Sequence, residues 1–273
     1  TTDFSVVFLI LQIKTNKLME KKIGLVLSGG GTKGISEAGV LQFLEDKNIS
    51  PEIIAGTSAG AIVGGLYAFG KSPNEILDFF KSVYFFNWKH FTLTKPGFIN
   101  SDIFRLYLKP IIGEIKIKDL KKELIINATD LIQGETFVFS GDDYLLDAII
   151  ASCSVPGLAS PFKKDELLLS DGGILNNFPT NLIKEKCDKL IGVYVAPLQD
   201  VKNNQLNSIK AVATRAYELL SYSVENYKFK DCDWFISPKE LSNYGMFESK
   251  KTRMDELFQL GFSEAEKTFP KDF

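Results

Sequence analysis

Short apolar runs that end in small residues, each followed by a stretch with helical spacing of apolar positions, dominate the first part of the chain. Ile23-Gly24-Leu25-Val26-Leu27 is apolar throughout and stops at Ser28-Gly29-Gly30-Gly31, the pattern of a strand buried on both faces of a parallel sheet. A helix is predicted from about Gly34 to Asp46, with Ile35, Ala38, Val40, Leu41 and Leu44 near one face. The unit then repeats: Ile53-Ile54-Ala55 reads as a strand, and the segment after Ser58 carries Ala61, Ile62, Val63, Leu66 and Tyr67 to a stop near Gly70. Two strand–turn–helix units in succession predict a parallel α/β sheet.

Downstream, the pattern predicts a helix from Pro73 to about Val83, then an aromatic-dense stretch (Tyr84, Phe85, Phe86, Trp88, Phe91, Phe98, Phe104, Tyr107) with no assigned element. Strands are expected at Leu124–Thr129, Thr136–Ser140, Glu166–Leu169 and Leu190–Val195, with a helix at Leu145–Ala151. From Gln205 the spacing is helical, with Val212, Ala216, Leu219 and Leu220 on one face; a short strand at Trp234–Ser237 and a helix from Arg253 to about Phe269 close the chain. No linker or internal repeat interrupts this order, and residues 19–273 read as one domain.

With 273 residues, 45% of them hydrophobic, the chain can bury a substantial core. A formal net charge of −2 argues against a nucleic-acid partner, which calls for a basic surface. Three cysteines, Cys153, Cys187 and Cys232, lack metal-ligand spacing and are odd in number; a reducing, cytoplasmic setting is expected. Phe4–Ile13 is an apolar run too short to span a bilayer as a helix. It lacks the basic flank and cleavage site of a signal peptide. Met19 precedes the first strong strand, so residues 1–18 are expected to be an extension outside the catalytic domain.

The chemistry concentrates at strand ends. Gly56-Thr57-Ser58-Ala59-Gly60 has the G-x-S-x-G form of a nucleophile elbow, in which a serine sits on a tight strand-to-helix turn that only small neighbours permit. Gly29, Gly31 and Gly34 formally satisfy G-x-G-x-x-G. The acidic residue that a dinucleotide site needs at the end of the second strand is absent, and no Lys-Ser/Thr follows Gly34 as a P-loop requires. A loop of three glycines beside Ser58 suits an oxyanion hole, although a nucleotide-binding role for Gly29–Gly34 stays open as the alternative. The only histidine, His90, precedes nearly every candidate acid and lies in an aromatic context, so it does not fit the Ser…Asp…His order. Asp171, in Ser170-Asp171-Gly172-Gly173 at the end of an apolar strand, is a candidate base or an ordinary turn.

The set G-G-G-x-K/R-G, G-x-S-x-G and D-G-G, in that order and each at a strand end, resembles the patatin-like phospholipase family. Asn127-Ala128-Thr129-Asp130-Leu131, Ser152-Cys153-Ser154-Val155-Pro156 and Asn177-Phe178-Pro179 are similar to further segments of it, and the resemblance covers about residues 22–197. It implies a three-layer α/β/α fold with a mostly parallel central sheet and the elbow after the second core strand. It also implies a Ser–Asp dyad without histidine: Ser58 the nucleophile, Asp171 the base, and an oxyanion hole from Gly29, Gly30 and Gly31, chiefly Gly30 and Gly31. The expected activity is hydrolysis of lipid esters (phospholipid, lysophospholipid or acylglycerol) with no cofactor or metal and with peripheral membrane contact, for which the aromatic stretch Tyr84–Phe91 with Phe98 is a candidate. A catalytically idle binding module is a further alternative. Lys33 and Glu37 depart from the family, many of whose members carry arginine and histidine there.

Overall fold

The computed structural model describes residues 21–83, 103–198, 200–201, 206–271 and 273. The 1–18 extension, His90, and the aromatic positions from Tyr84 through Phe98 lie outside the described residues.

Alternation with a period of two decides the architecture. The strands are β1 (Ile23–Leu27), β2 (Ile53–Gly56), β3 (Glu123–Asp130), β4 (Glu135–Phe139), β5 (Phe162–Lys164), β6 (Leu167–Asp171), β7 (Lys189–Val193) and β8 (Trp234–Ile236). They form one sheet in the order β5-β6-β3-β2-β1-β7-β8, with β4 also on β3. The run from β3 through β2, β1 and β7 to β8 is parallel, and the β4, β5 and β6 pairings are antiparallel. Along β1, Leu25 and Leu27 enter one core while Val26 enters another; along β2, Ile54 faces the first, and Ile53 and Ala55 the second. A strand whose two faces are both buried must be apolar at every position, which is the run seen in the sequence.

The larger core is roofed by helices α1 (Ile35–Asp46), α2 (Ala59–Phe69), α3 (Pro73–Ser82), α4 (Ile103–Ile112), α5 (Leu145–Ser152) and α7 (Lys251–Thr268). On the opposite face the layer formed by the described residues is thin. Phe178, Ile183 and Tyr194 pack with Tyr222, Phe229 and Phe235 over the sheet, and the covering backbone is short 3-10 turns with the end of α6 (Ile209–Glu225). Edge-to-face contacts join Phe178 to Tyr194, Phe229 and Phe235, so ring area substitutes for a helix.

The structure adds to or revises the expectations at four places. Helix α4 was not anticipated: its Pro110 and aromatic surroundings hid the i, i+4, i+8 series Phe104, Leu108 and Ile112 that packs it on the core. Strand β5 is three residues long with two lysines, below the length at which alternation registers. The strand expected at Glu166–Leu169 extends to Asp171 itself. Most consequentially, the shared face of α6 bearing Val212, Ala216, Leu219 and Leu220, whose direction the sequence left open, is exposed.

Candidate active site

Ser58 is the second of the two residues between β2 and α2, with φ 52° and ψ −115°. A non-glycine side chain in this region is strained by about 1–3 kcal/mol, and the surroundings enforce it. Gly56 and Gly60 leave no room for relaxation: a Cβ on Gly56 would lie 2.4 Å from the Gly60 carbonyl oxygen, and one on Gly60 2.4 Å from that of Leu27. The turn is therefore wedged against β1, and the glycines of the pentapeptide are steric requirements. The Ser58 N–H donates to Ser152 Oγ at 2.8 Å and its carbonyl accepts from Cys153 Sγ at 3.3 Å.

Register brings Asp171 to the same place. Ile126 pairs with Gly56 of β2 and with Phe139 of β4, while Ala128 pairs with Phe137 of β4 and with Asp171 of β6. Since β4 occupies one edge of β3, β2 and β6 must share the other. Running in opposite senses, they meet with their C-terminal ends about Asn127. Asn127 ties the junction: Thr57 Oγ1 donates to its Oδ1 at 2.6 Å, and its Nδ2 donates to the Asn176 carbonyl at 3.0 Å. The end of α5 holds both partners, because Ser154 accepts at its carbonyl from the Asp171 N–H at 3.0 Å, next to the Ser152 and Cys153 contacts to Ser58.

Asp171 is almost wholly buried. Its Oδ1 accepts the Gly173 N–H at 2.7 Å, whereas Oδ2 is buried without a hydrogen bond. Burial pushes the carboxyl up to about 6 from its ordinary 3.8, against smaller opposing effects of the Ser58 hydroxyl and the Gly173 N–H. Ser58 and Asp171 line the same cavity, and no hydrogen bond joins the hydroxyl to Oδ2; such contacts are commonly loose before substrate binds. Cys153 is no rival nucleophile, since burial and then the Asp171 charge drive its thiol well above the usual range.

The glycine loop lies alongside. Register between β1 and β2 sets Leu27 opposite Gly56, and a Cβ on Gly29 would come within 3.1 Å of Ser58 Cβ. The Gly29 N–H is taken by the Asn177 carbonyl at 3.2 Å; those of Gly30 and Gly31 donate to no described residue. Gly31 has φ 62°, and a Cβ there would strike the Met246 carbonyl at 2.3 Å. Ser58, Asp171, Gly29, Gly30 and Gly31 all line one cavity of about 180 Å³, with Lys33, Tyr217, Ser221, Met246 and Phe247 in its wall.

Residues 25–183 match the patatin-like phospholipase family. The chain belongs to that family. Among curated relatives it is 31% identical over 195 residues to "Lysophospholipase NTE1" of Candida glabrata, covering 67% of this chain and 11% of that protein. It is 35% identical over 191 residues to "Lysophospholipase NTE1" of Meyerozyma guilliermondii, covering 67% and 13%. The chain therefore spans only about an eighth of these relatives. The crystal structure of VipD from Legionella pneumophila shares the fold with a TM-score of 0.60 at 16% identity, over 91% of this chain and 66% of that one.

The patatin-like site is backed by a buried cluster that sequence reasoning missed. Glu225 accepts the N–H groups of Asn177 at 2.8 Å and Phe178 at 3.1 Å, and Lys228 Nζ bridges Glu225 at 2.7 Å and Asn176 at 2.6 Å. Asn177 in turn holds Gly29 through both its backbone carbonyl and its Nδ2, the latter at 3.3 Å. An i, i+3 Glu–Lys pair at a helix end reads in sequence as a solvated ion pair; here both residues are under 5% exposed. Glu225→Ala would leave Lys228 buried without its counter-charge, and we expect a loss of about 3–5 kcal/mol in urea unfolding. Glu37, in the first turn of α1, is likewise fully buried, and burial pushes its carboxyl well above the usual carboxylate range. Lys33 keeps its ammonium in the cavity wall, its pKa lowered by burial against the pull of Glu218.

Proposed function

We propose that this protein is a serine acyl hydrolase of lipid esters, with lysophospholipids as its substrate class. The observation that carries the reading is the meeting of β2 and β6 end to end, which puts strained Ser58 and buried Asp171 in one cavity beside the Gly30–Gly31 backbone. Ser58 Oγ attacks the ester carbonyl carbon while Asp171 takes the hydroxyl proton. The oxyanion of the tetrahedral intermediate is held by the N–H groups of Gly30 and Gly31. Its collapse breaks the bond to the leaving oxygen, which departs as the alcohol with the proton from Asp171. Water, deprotonated by the same carboxylate, then releases the fatty acid from Ser58. A pKa near 6 leaves Asp171 ionised at neutral pH yet basic enough to accept a proton in the transition state.

The lysophospholipid assignment has two supports: the names of the relatives and Lys33. A partly desolvated ammonium in the cavity wall is suited to a phosphodiester, while Glu218 is engaged with Arg215 at 3.2 Å. The protein should release fatty acid from 1-acyl lysophosphatidylcholine, and Lys33→Ala should raise KM for that substrate about tenfold while leaving monoacylglycerol hydrolysis unchanged. Equal effects on both lipids would remove the phosphate assignment. Absence of fatty-acid release, with heat evolved on titrating a dinucleotide, would favour the nucleotide alternative.

A further inference from the structure

Among the described residues, the exposed face of α6 has no partner. Ile209, Val212, Ala216, Leu220 and Val224 fall at i, i+3, i+7, i+11 and i+15, one apolar stripe about 22 Å long at the helical rise. Its members stand in solvent, Ile209 at 91% and Leu220 at 67% exposure, and Tyr227 continues it one turn on. A helix of this length is marginal in water and ordinarily draws its stability from packing such a stripe against something. The adjoining side does other work: Tyr217, half exposed, forms part of the cavity wall with Glu218 and Ser221. The phenol of Tyr217 is raised by burial and by the Asp171 charge. Across the mouth stand Met246 and Phe247, both exposed and both lining the same cavity.

Charge distinguishes the partner. The acids of these two segments are spent internally: Glu218 on Arg215, Glu225 on Lys228 and Glu248 on Arg253. Lys250 and Lys251, exposed just past Phe247, pair with no described acid. Apolar side chains flanked by free cations are the surface that an anionic bilayer binds. We propose that the outer face of α6, with the Met246–Lys251 loop opposite, docks this protein on an anionic phospholipid membrane so that the cavity opens into the lipid. The orientation rests on the hydrolase reading, because a second protein seated there would close the mouth through which a lipid ester must enter.

The full chain should co-sediment with vesicles of phosphatidylcholine containing about one quarter phosphatidylglycerol. Val212→Glu/Leu220→Glu, at two positions that do not line the cavity, should weaken this binding about tenfold or more and slow hydrolysis of vesicle lipid in parallel, with p-nitrophenyl butyrate hydrolysis unchanged. Lys250→Glu/Lys251→Glu should weaken binding to the anionic vesicles but not to pure phosphatidylcholine. Leu220→Trp supplies a reading that needs no loss of function: its emission should shift to the blue when vesicles are added. Undiminished vesicle binding by Val212→Glu/Leu220→Glu, or an unshifted Leu220→Trp spectrum, would overturn the proposal. So would a dimer in sedimentation equilibrium that the double variant dissolves, which would assign the face to a second copy. Vesicle binding by a parent protein inert towards every ester would sink the hydrolase reading and leave the docking surface standing.

Discussion

Ser58→Ala is expected to abolish ester hydrolysis, with kcat falling by about 10⁴-fold or more, and to abolish labelling by a fluorophosphonate probe that in the parent maps to the peptide containing Ser58. The fold should survive. The contacts that fix Ser58 are made by its backbone N–H and carbonyl, to Ser152 and Cys153, and alanine retains both. Ser58→Gly should be equally inactive yet melt higher than Ser58→Ala, because glycine adopts φ 52° without penalty, a difference of about 1 kcal/mol. Inactive variants with rising stability would identify the elbow strain as serving catalysis. Retained hydrolysis or labelling in Ser58→Ala would remove the serine mechanism altogether.

Which parts of this site the sequence discloses follows from how local each constraint is. The elbow is legible because its glycines answer to contacts within the turn and with the neighbouring strand, so the requirement falls on five consecutive residues. Asp171 is legible as a strand-end acid, but its partnership with Ser58 depends on β2 and β6 sharing one edge of β3, a register that no local pattern encodes. Asn127 was noticed only through family resemblance; its position between the two strand ends gives the physical reason for an amide there, which can accept from Thr57 and donate to Asn176 together. Likewise Ser152, Cys153 and Ser154 each contribute one contact to Ser58 or Asp171. The α6 stripe was legible as a periodicity but not as a direction, because apolar residues at helical spacing look the same whether they face a core or solvent. Glu225 and Lys228 were invisible for the converse reason, being charged residues whose burial is set by the Asn176–Phe178 turn packed against them.

Asp171→Asn should separate catalysis from stability most sharply. Hydrolysis is expected to fall by about 10⁴-fold, since an amide cannot take the Ser58 proton. In the parent, kcat/KM should decline below about pH 6 as Asp171 gains its proton. A catalytic histidine would titrate in the same range, so the profile must be read with His90→Ala, which should keep both the rate and the titration. The stability effect runs the other way. A carboxyl at about 6 in the folded protein and 3.8 otherwise binds protons more tightly when folded, so its favourable contribution is complete below pH 3.8 and is lost as pH rises through 6. At pH 8 the parent therefore carries an ionised, buried carboxylate at a cost of about 3 kcal/mol relative to the protonated form. Asparagine escapes that cost while its Oδ1 still accepts the Gly173 N–H. Its amide nitrogen occupies the place of the unpartnered Oδ2, a penalty of about 1–3 kcal/mol, so the variant should be at least as stable as the parent at pH 8. On lowering the pH to 5, the stability difference should move in the parent's favour by about 1.4 kcal/mol. Urea unfolding of both proteins at the two pH values measures this directly. A pH-independent difference would show that Asp171 is not held in a desolvated site, and a fully active Asp171→Asn would remove it as the base.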